Sequence, residues 1–440
     1  MKIAILGGGT AGFIAAAHLT KTEPKAELLH IYDSRIPTIG VGEGTTPRFP
    51  QWLKHTTGLD FADLQEHCGA TLKTGTRFEG WGTDGQTFYN RFQPTRLIGF
   101  HFDASKVVGL IAEHVHAQYI DARVVSLDTT DAGALVALES GATLHCDYVL
   151  DARGFPKSAQ TDGSSDDDVI QMDWIPTGRA ILRRLPASDL SGVTRAVARP
   201  HGWIFQIPLN GTTSCGYLFN SDLNSDDEVE ADFSAFLNNE KISEWEERGA
   251  LSYPNFLRRD LFDGRVFSIG NAASFIEPLE ATSIGASILQ VRAAQRWIAD
   301  SEPNTANDTA ATAGWNRAMR SYVLRNSLFV AWHYACGSRW DTPFWDLARS
   351  SMERARNSED ARPHLQQMNA FVDAGRALPG LSLAGYDDQE SWDREVLPLL
   401  TLYEPFGNFS ELNFAQIGHG MGYYNTTQSG APAYVNAPQG

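Results

Sequence analysis

The sequence predicts an α/β fold: a parallel, dinucleotide-binding sheet assembled from two separated stretches of chain, an antiparallel sheet beside it, and a helical C-terminal region. Three observations carry this reading. A short apolar strand, a glycine-rich turn and a helix follow one another at the N-terminus. Residues 170–219 are strand-rich, and residues 314–372 are helical in pattern and crowded with aromatics. At 440 residues, 42% hydrophobic and 20% charged, the protein is globular in composition and long enough for two or three subdomains.

The elements follow in order. Residues 2–6 form an apolar run, Gly7-Gly8-Gly9-Thr10-Ala11-Gly12 the turn, and residues 13–19 the helix. Gly7 permits the tight turn, Gly9 lets a pyrophosphate approach the backbone, and Gly12 lets helix pack on strand. The N–H groups and dipole of the helix start then hold phosphate. These glycine roles set the segment apart from a signal peptide, which it superficially imitates. Residues 28–32 read as the second strand and end in Asp33, about 20 residues beyond the turn, where a ribose partner belongs. Residues 124–127, 134–139 and 143–150 look like a small antiparallel meander running into Asp151-Ala152-Arg153-Gly154. Residues 158–168 read as a polar, acidic loop, and Asp226-Asp227-Glu228 as a solvated helix start. A late strand, 265–269, leads into Gly270-Asn271-Ala272-Ala273 and a helix over 284–298. Residues 300–312 read as another loop. Gly418, Gly420, Gly422, Tyr423 and Tyr424 suggest an ordered loop, and the tail from residue 427 reads as irregular.

Thirty-six basic against 53 acidic residues give a formal charge of −17. Such a surface repels phosphate backbones and anionic lipid, which argues against nucleic-acid and membrane partners. Cys68, Cys146, Cys215 and Cys336 are far apart and form no CxxC pair, so neither a thiolate metal site nor a disulfide framework is expected, and a reduced, cytoplasmic setting fits. Glu113-His114-Val115-His116 has an H-x-H spacing without a third ligand, so no metal is expected there either. No apolar run reaches 18 residues.

Three segments carry chemistry. Lys73 interrupts the small and apolar stretch 69–78. Trp203-Ile204-Phe205-Gln206-Ile207-Pro208 alternates as an aromatic strand. Phe275-Ile276-Glu277-Pro278-Leu279-Glu280-Ala281-Thr282-Ser283-Ile284 puts two acids around a proline before a helix. The combination of an N-terminal nucleotide turn, a central D-A-x-G and a late G-N-A resembles flavoprotein monooxygenases, with no second glycine fingerprint for a nicotinamide. With the three segments added, the protein resembles the flavin-dependent halogenases of the tryptophan halogenase family. Val41-Gly42-Glu43-Gly44-Thr45-Thr46-Pro47 resembles that family's flavin strap. His333-Tyr334 and Thr342-Pro343-Phe344-Trp345 resemble its helical segment, and Gly420-Met421-Gly422-Tyr423 its C-terminal glycine turn. Phe205 stands in place of the second tryptophan of the signature strand, Asn271 in place of a common aspartate, and Ala281 and Ser283 in place of serine and glycine.

The resemblance implies a discontinuous FAD domain (residues 1–157 and 265–299), an antiparallel substrate-side region (158–264) and a helical, substrate-covering region (300–440). It implies that FAD, used as FADH2, lies against Gly7, Gly9, Thr10, Ala11, Gly12, Asp33, Glu43, Gly44, Val125, Gly270, Asn271 and Ile284. Reduced FAD, oxygen and chloride or bromide then give hypohalous acid, with halide held on the backbone at Thr282 and Ser283. Lys73 carries the halogen to the arene as a hydrogen-bonding ammonium or as a haloamine. Glu280 stabilises the ring cation and takes its proton. Trp203, Phe205 and Pro208 wall off the substrate. A separate flavin reductase is the implied partner, and a homo-oligomer stays compatible with the sequence. Tyr403, Phe406, Phe409, Phe414, Tyr423 and Tyr424 suggest a lining for flat faces, hence an indole or phenol rather than strictly free tryptophan. An FAD-dependent aromatic hydroxylase of the same fold is the alternative, and a flavin-binding sensor without turnover is a third reading.

Overall fold

The structure is a computed structural model that describes residues 1–424 apart from 37–41, 94–96, 160–167, 189, 191, 301–308, 379–393, 395 and 403. A five-stranded parallel sheet has Lys2–Leu6 at its centre, with Tyr148–Asp151 and then Val266–Ser268 on one side and Glu27–Tyr32 and then Gln118–Asp121 on the other. Helix Thr10–Thr22 covers one face, together with helix Ser283–Asp300. The central strand is buried along almost its whole length, as a strand covered on both faces must be. The expected return of the late segment to the N-terminal sheet is therefore present.

The meander is present with one difference. Val124–Thr130, Gly133–Leu138 and Thr143–Cys146 form a separate three-stranded sheet, and the path then breaks at Asp147 before Tyr148–Asp151 enters the parallel sheet. The Asp147 carboxylate accepts a 2.6 Å hydrogen bond from the Lys2 backbone N–H, which fixes that corner. A continuous apolar reading over 143–150 hides such a switch of sheets.

The second large sheet has seven strands in the order Glu246–Ser252, Arg179–Pro186, Thr212–Phe219, Gly202–Leu209, Thr194–Arg199, Gly75–Glu79 and Phe88–Arg91. The last two come from the N-terminal part of the sequence, so residue 157 does not bound this sheet. Gly75–Glu79 joins parallel to Thr194–Arg199, with Thr76 opposite Thr194. Strand Thr71–Lys73 lies just before it and pairs with Gly99–Asp103, which also pairs with Gly42–Gly44.

Helices Thr309–Cys336, Pro343–Arg349, Ser351–Asn357, Arg362–Arg376 and Glu411–Gly420 make the C-terminal region. The loop expected over 300–312 is helical from residue 309, and its centre lies outside the described residues. The glycines around 418–422 disguised the end of helix Glu411–Gly420, which holds because Ser410 caps it with a reciprocal bond to Asn413. Most of the acidic loop 158–168, Val41 of the strap, Tyr403 and the tail from 427 lie outside the described residues. Among the described residues no helix is long and apolar enough to cross a membrane.

Gly7 has φ +116°, and a Cβ there would lie 2.4 Å from the Ala152 carbonyl oxygen. Gly7→Ala is expected to destabilise the fold by about 2 kcal/mol or more, through a disfavoured backbone and a collision with fixed backbone. Urea unfolding followed by circular dichroism checks this; a midpoint equal to wild type would show that the turn can shift.

Candidate active site

A cavity of about 780 Å³ lies between the parallel sheet and the seven-stranded sheet. The glycine turn forms one part of its wall. A Cβ on Gly12 would sit 2.0 Å from the Gly7 carbonyl oxygen, whereas one on Gly9 meets nothing within 4 Å. The turn is closed where helix meets strand and open where a phosphate would approach. Gly7, Gly9, Thr10, Ala11 and Asp33 line the cavity. Asp33 is not free: Arg35 donates to it from Nε (2.7 Å) and Nη2 (2.8 Å), which holds its carboxyl below the usual value.

Glu43 and Gly44 of the strap line the same cavity. Glu43 Oε2 is buried without a hydrogen-bond partner, and burial, aided by the Asp103 charge, pushes this carboxyl up to about 7. Gly270, Asn271, Ser283 and Ile284 line the wall beyond it. Thr282 faces a separate chamber of about 20 Å³, shared with Ser283, Asn271 and Gln290. Ala281 sits at φ +53°, a left-handed conformation that costs a non-glycine residue about 1 kcal/mol and turns the backbone sharply between Glu280 and Thr282.

Two expected positions fall elsewhere. Val125 is 59% exposed; its neighbour Val124 lines the cavity, because adjacent strand residues face opposite ways. The same alternation brings Trp203, Phe205 and Ile207 to the cavity and leaves Pro208 out of its lining. The Pro208 carbonyl instead accepts a 2.7 Å hydrogen bond from the Thr71 hydroxyl.

Lys73 lines the cavity and is 2% exposed, while its apolar neighbour Leu72 is 38% exposed. That inversion of the usual strand pattern, cation in and leucine out, marks the position as selected for something other than packing. Burial lowers the Lys73 ammonium to about 8, against the opposing charge of Glu280.

Glu280 is buried on the short turn Pro278–Glu280 and is not part of the cavity lining. Asn90 Nδ2 donates to both its oxygens, at 3.0 and 3.2 Å. His333 Nε2 lies 2.9 Å from Glu280 Oε1, and His333 Nδ1 lies 2.8 Å from the Phe329 carbonyl. Both ring nitrogens thus face oxygen acceptors. The Asn90 amide is oriented in turn: its Oδ1 accepts from Asn413 Nδ2 (3.0 Å), and Asn413 Oδ1 accepts from the Ser410 backbone N–H (3.0 Å). Sequence reasoning missed Asn90 and the role of His333, since no local pattern links residues so far apart.

Glu277, the first acid of the pair, is fully buried. Its Oε2 accepts from Trp203 Nε1 (3.1 Å) and the Tyr334 hydroxyl (2.9 Å), and its Oε1 from the Leu279 N–H (3.3 Å). Burial outweighs these bonds and pushes the carboxyl up to about 7.

The expected aromatic lining after residue 400 is corrected. Phe406, Phe409, Phe414, Tyr423 and Tyr424 are buried in the core, and none lines the cavity. Phe409 stacks on Phe329 (3.8 Å between centroids) and Phe414 on Trp332 (5.2 Å), covering the apolar side of helix Thr309–Cys336. Aromatic faces toward the cavity come instead from Trp203, Phe205, Tyr253 and Phe275.

The sequence profile described as tryptophan halogenase matches residues 2–99 and 93–378. The tryptophan 7-halogenase RebH of Lentzea aerocolonigenes is 24% identical over 497 residues, spanning 96% of this chain and 88% of that protein. Among solved structures, a tryptophan halogenase from Shewanella frigidimarina superposes with a TM-score of 0.75 at 20% identity, covering 99% of this chain and 90% of that one. Xcc4156, a flavin-dependent halogenase from Xanthomonas campestris, gives 0.75 at 19% identity, with 99% and 92% covered.

Glu277 sets a pH dependence. Between its ordinary value of 4.5 and its folded value of about 7, the folded protein holds a proton that the unfolded state has released. Its contribution is therefore full below the ordinary value and is lost as pH rises through the folded one. Relative to Glu277→Gln, wild type should lose about 3 kcal/mol of stability across that window. Denaturant unfolding of both proteins over the window checks it; parallel pH curves would show that Glu277 is ionised throughout.

Proposed function

The chain belongs to the tryptophan halogenase family, and on that footing we propose that it is a two-component flavin-dependent halogenase acting on electron-rich arenes of the indole or phenol type. The observation that carries this reading is a buried lysine, Lys73, in the same cavity as the open glycine turn, with the Glu280 charge facing it. The cavity fits a dinucleotide flavin: the space at Gly9 admits phosphate, and the unpartnered Glu43 oxygen offers an acceptor along the strap. Thr10 and Ala11 would hold the pyrophosphate by backbone N–H groups, and Asp33 with Arg35 the ribose end. Gly44, Gly270, Asn271 and Ile284 would flank the rest. Bound as FADH2 and renewed by a separate reductase, the cofactor would supply hypohalous acid from oxygen and chloride or bromide.

The remaining work falls to side chains. Backbone N–H groups at Thr282 and Ser283 hold the halide in the sharp turn that Ala281 creates. Lys73 receives the hypohalous acid and presents its halogen to the ring. Electrophilic substitution builds positive charge on the arene, which the Glu280 carboxyl stabilises before accepting the departing proton. Asn90 and His333 keep both carboxyl oxygens in one orientation, so little reorganisation is needed. Trp203 and Phe205 separate arene from cofactor, and Glu277 pins Trp203 through its indole N–H. The aromatic cavity wall supports a flat substrate.

Incubation with indole, bromide, FAD, NADH and a generic flavin reductase should yield a product with the bromine mass pattern. An oxygenated product instead, with NADPH alone bleaching bound FAD, would identify a hydroxylase. In the same assay Lys73→Ala should abolish brominated and chlorinated product while leaving FAD binding intact; substantial product would remove Lys73 from the reaction. Glu280→Gln should slow turnover by about 10²-fold on a weakly activated arene. An unchanged rate would place the ring proton elsewhere.

A further inference from the structure

The chamber of about 20 Å³ that Thr282, Ser283, Asn271 and Gln290 share is also lined by Ala286 and Asn326. A space of this size admits one occupant about as large as a water molecule or a monatomic ion.

Ser283, Ala286 and Gln290 are spaced by three and four residues, so they lie on one face of helix Ser283–Asp300. Long side chains on a helix lean toward its N-terminus, which carries the Gln290 amide over the small Ala286 toward the helix start. Gln290 is 1% exposed. Its Oε1 accepts a 2.8 Å hydrogen bond from the Gly270 backbone N–H, and that bond fixes which way the amide is turned. Its Nε2 is buried and has no hydrogen-bond partner among the described residues. A buried donor left in this state costs about 1–3 kcal/mol, so the position calls for an occupant.

Several acceptors around the chamber are already taken. The Thr282 carbonyl accepts from the Ala286 N–H at 2.9 Å, and the Ser283 carbonyl from the Ser287 hydroxyl at 3.0 Å. Asn326 Oδ1 accepts from the Asn408 N–H at 2.8 Å. The N–H groups of the helix's first turn have no carbonyl within the helix to bond, and the helix dipole adds positive potential at that end. The described residues of the lining include no charged side chain. With acceptors spent and donors left over, the lining suits an anion. A water would need acceptors for its own protons, and a cation would need a ring of oxygens.

We propose that this chamber seats the halide and that Gln290 is a halide-binding residue, donating from Nε2 alongside the backbone N–H groups of Thr282 and Ser283. The halogenase reading supplies the identity of the guest, chloride or bromide. Gln290 adds a side-chain contact to a site otherwise made of backbone, and with it a position at which halide affinity depends on the sequence.

The test reads chloride binding to the whole protein from the NMR linewidth of the chloride ion. Wild type should broaden the line, and bromide should reverse the broadening by displacement. Acetate, too large for the chamber, should not. Gln290→Glu keeps an acceptor for the Gly270 N–H and replaces the free donor with an oxygen. It is measured well above about 7, the value to which burial raises Glu43 and Glu277, so that the new carboxyl is ionised. Chloride should bind at least about 10-fold more weakly, the worth of one hydrogen bond to a charged group. Ala286→Val fills the chamber with Gln290 in place and should weaken chloride as much, which keeps the test decisive if Gln290→Glu fails to fold. In bromination of indole, Gln290→Glu should raise the KM for bromide by about 10-fold and alter kcat far less. A wild type that binds no chloride, displacement by acetate, or unweakened binding in a folded variant overturns the proposal. Chloride binding that both variants lose, in a protein that halogenates nothing, supports it and counts against the halogenase reading alone.

Discussion

The buried Glu277 carboxyl is the interaction on which the arrangement around the cavity depends. Four pieces of the molecule end on it: Trp203 from the seven-stranded sheet, Tyr334 from the long helix Thr309–Cys336, the Leu279 N–H from the turn that carries Glu280, and the Thr177 hydroxyl at 3.4 Å. Trp203 Nε1 also donates to the Tyr334 hydroxyl at 2.8 Å, so Trp203, Tyr334 and Glu277 form a closed cluster. Burying a carboxyl is costly, and the cost is met only while each donor stays in place. Removing the carboxyl would leave these donors unsatisfied in the core, which makes the cluster a strict constraint on how sheet, helix and turn approach one another.

The register of the seven-stranded sheet is the second constraint. Arg195 Nε and Nη2 grip Glu79 at 2.5 and 2.7 Å, its Nη1 reaches Gln206 at 2.9 Å, and Glu240 accepts from the same guanidinium at 2.8 Å. These are planar, charge-assisted bonds on a mostly buried side chain, the geometry in which arginine pairing is strong. They lock Gly75–Glu79 against Thr194–Arg199. Lys73 precedes the first strand by two residues and Thr194 opens the second, so a register slip would separate them. The ion pairs thereby hold both residues in place at the cavity.

The nucleotide turn was legible because its logic is local: Gly7, Gly9 and Gly12 each do something that glycine alone permits, within six residues. Lys73 and Glu280 were legible by resemblance, and Lys73 also because it interrupts the small and apolar stretch 69–78. The rest was hidden for a physical reason. Asn90, His333 and Glu280 meet across separations that leave no periodic trace, and the hydrogen bonds linking Thr71, His101 and Thr194 likewise join three distant strands. Single-residue register was beyond reach at Val125 and Pro208, where alternation decides the face and a shift of one reverses it. The aromatics after residue 400 were readable as aromatic but not as core, because only the position of helix Thr309–Cys336 tells the two apart.

The contact between Gly7 and the Ala152 carbonyl has a consequence for how the protein is made. The central strand of the parallel sheet leaves the ribosome well before its partner Tyr148–Asp151 and the backbone that closes the turn. At about 5–20 residues per second the interval is on the order of 10 s. Throughout it, Lys2–Leu6 can pair on one side only, and the other edge stays open to any passing strand. The outer strand Val266–Ser268 arrives later still. A nascent polypeptide of this topology carries an unfinished, strongly apolar sheet until residues 148–151 and 266–268 have been made, so slower folding and exposure to aggregation are part of the cost of a cradle built from distant stretches of sequence.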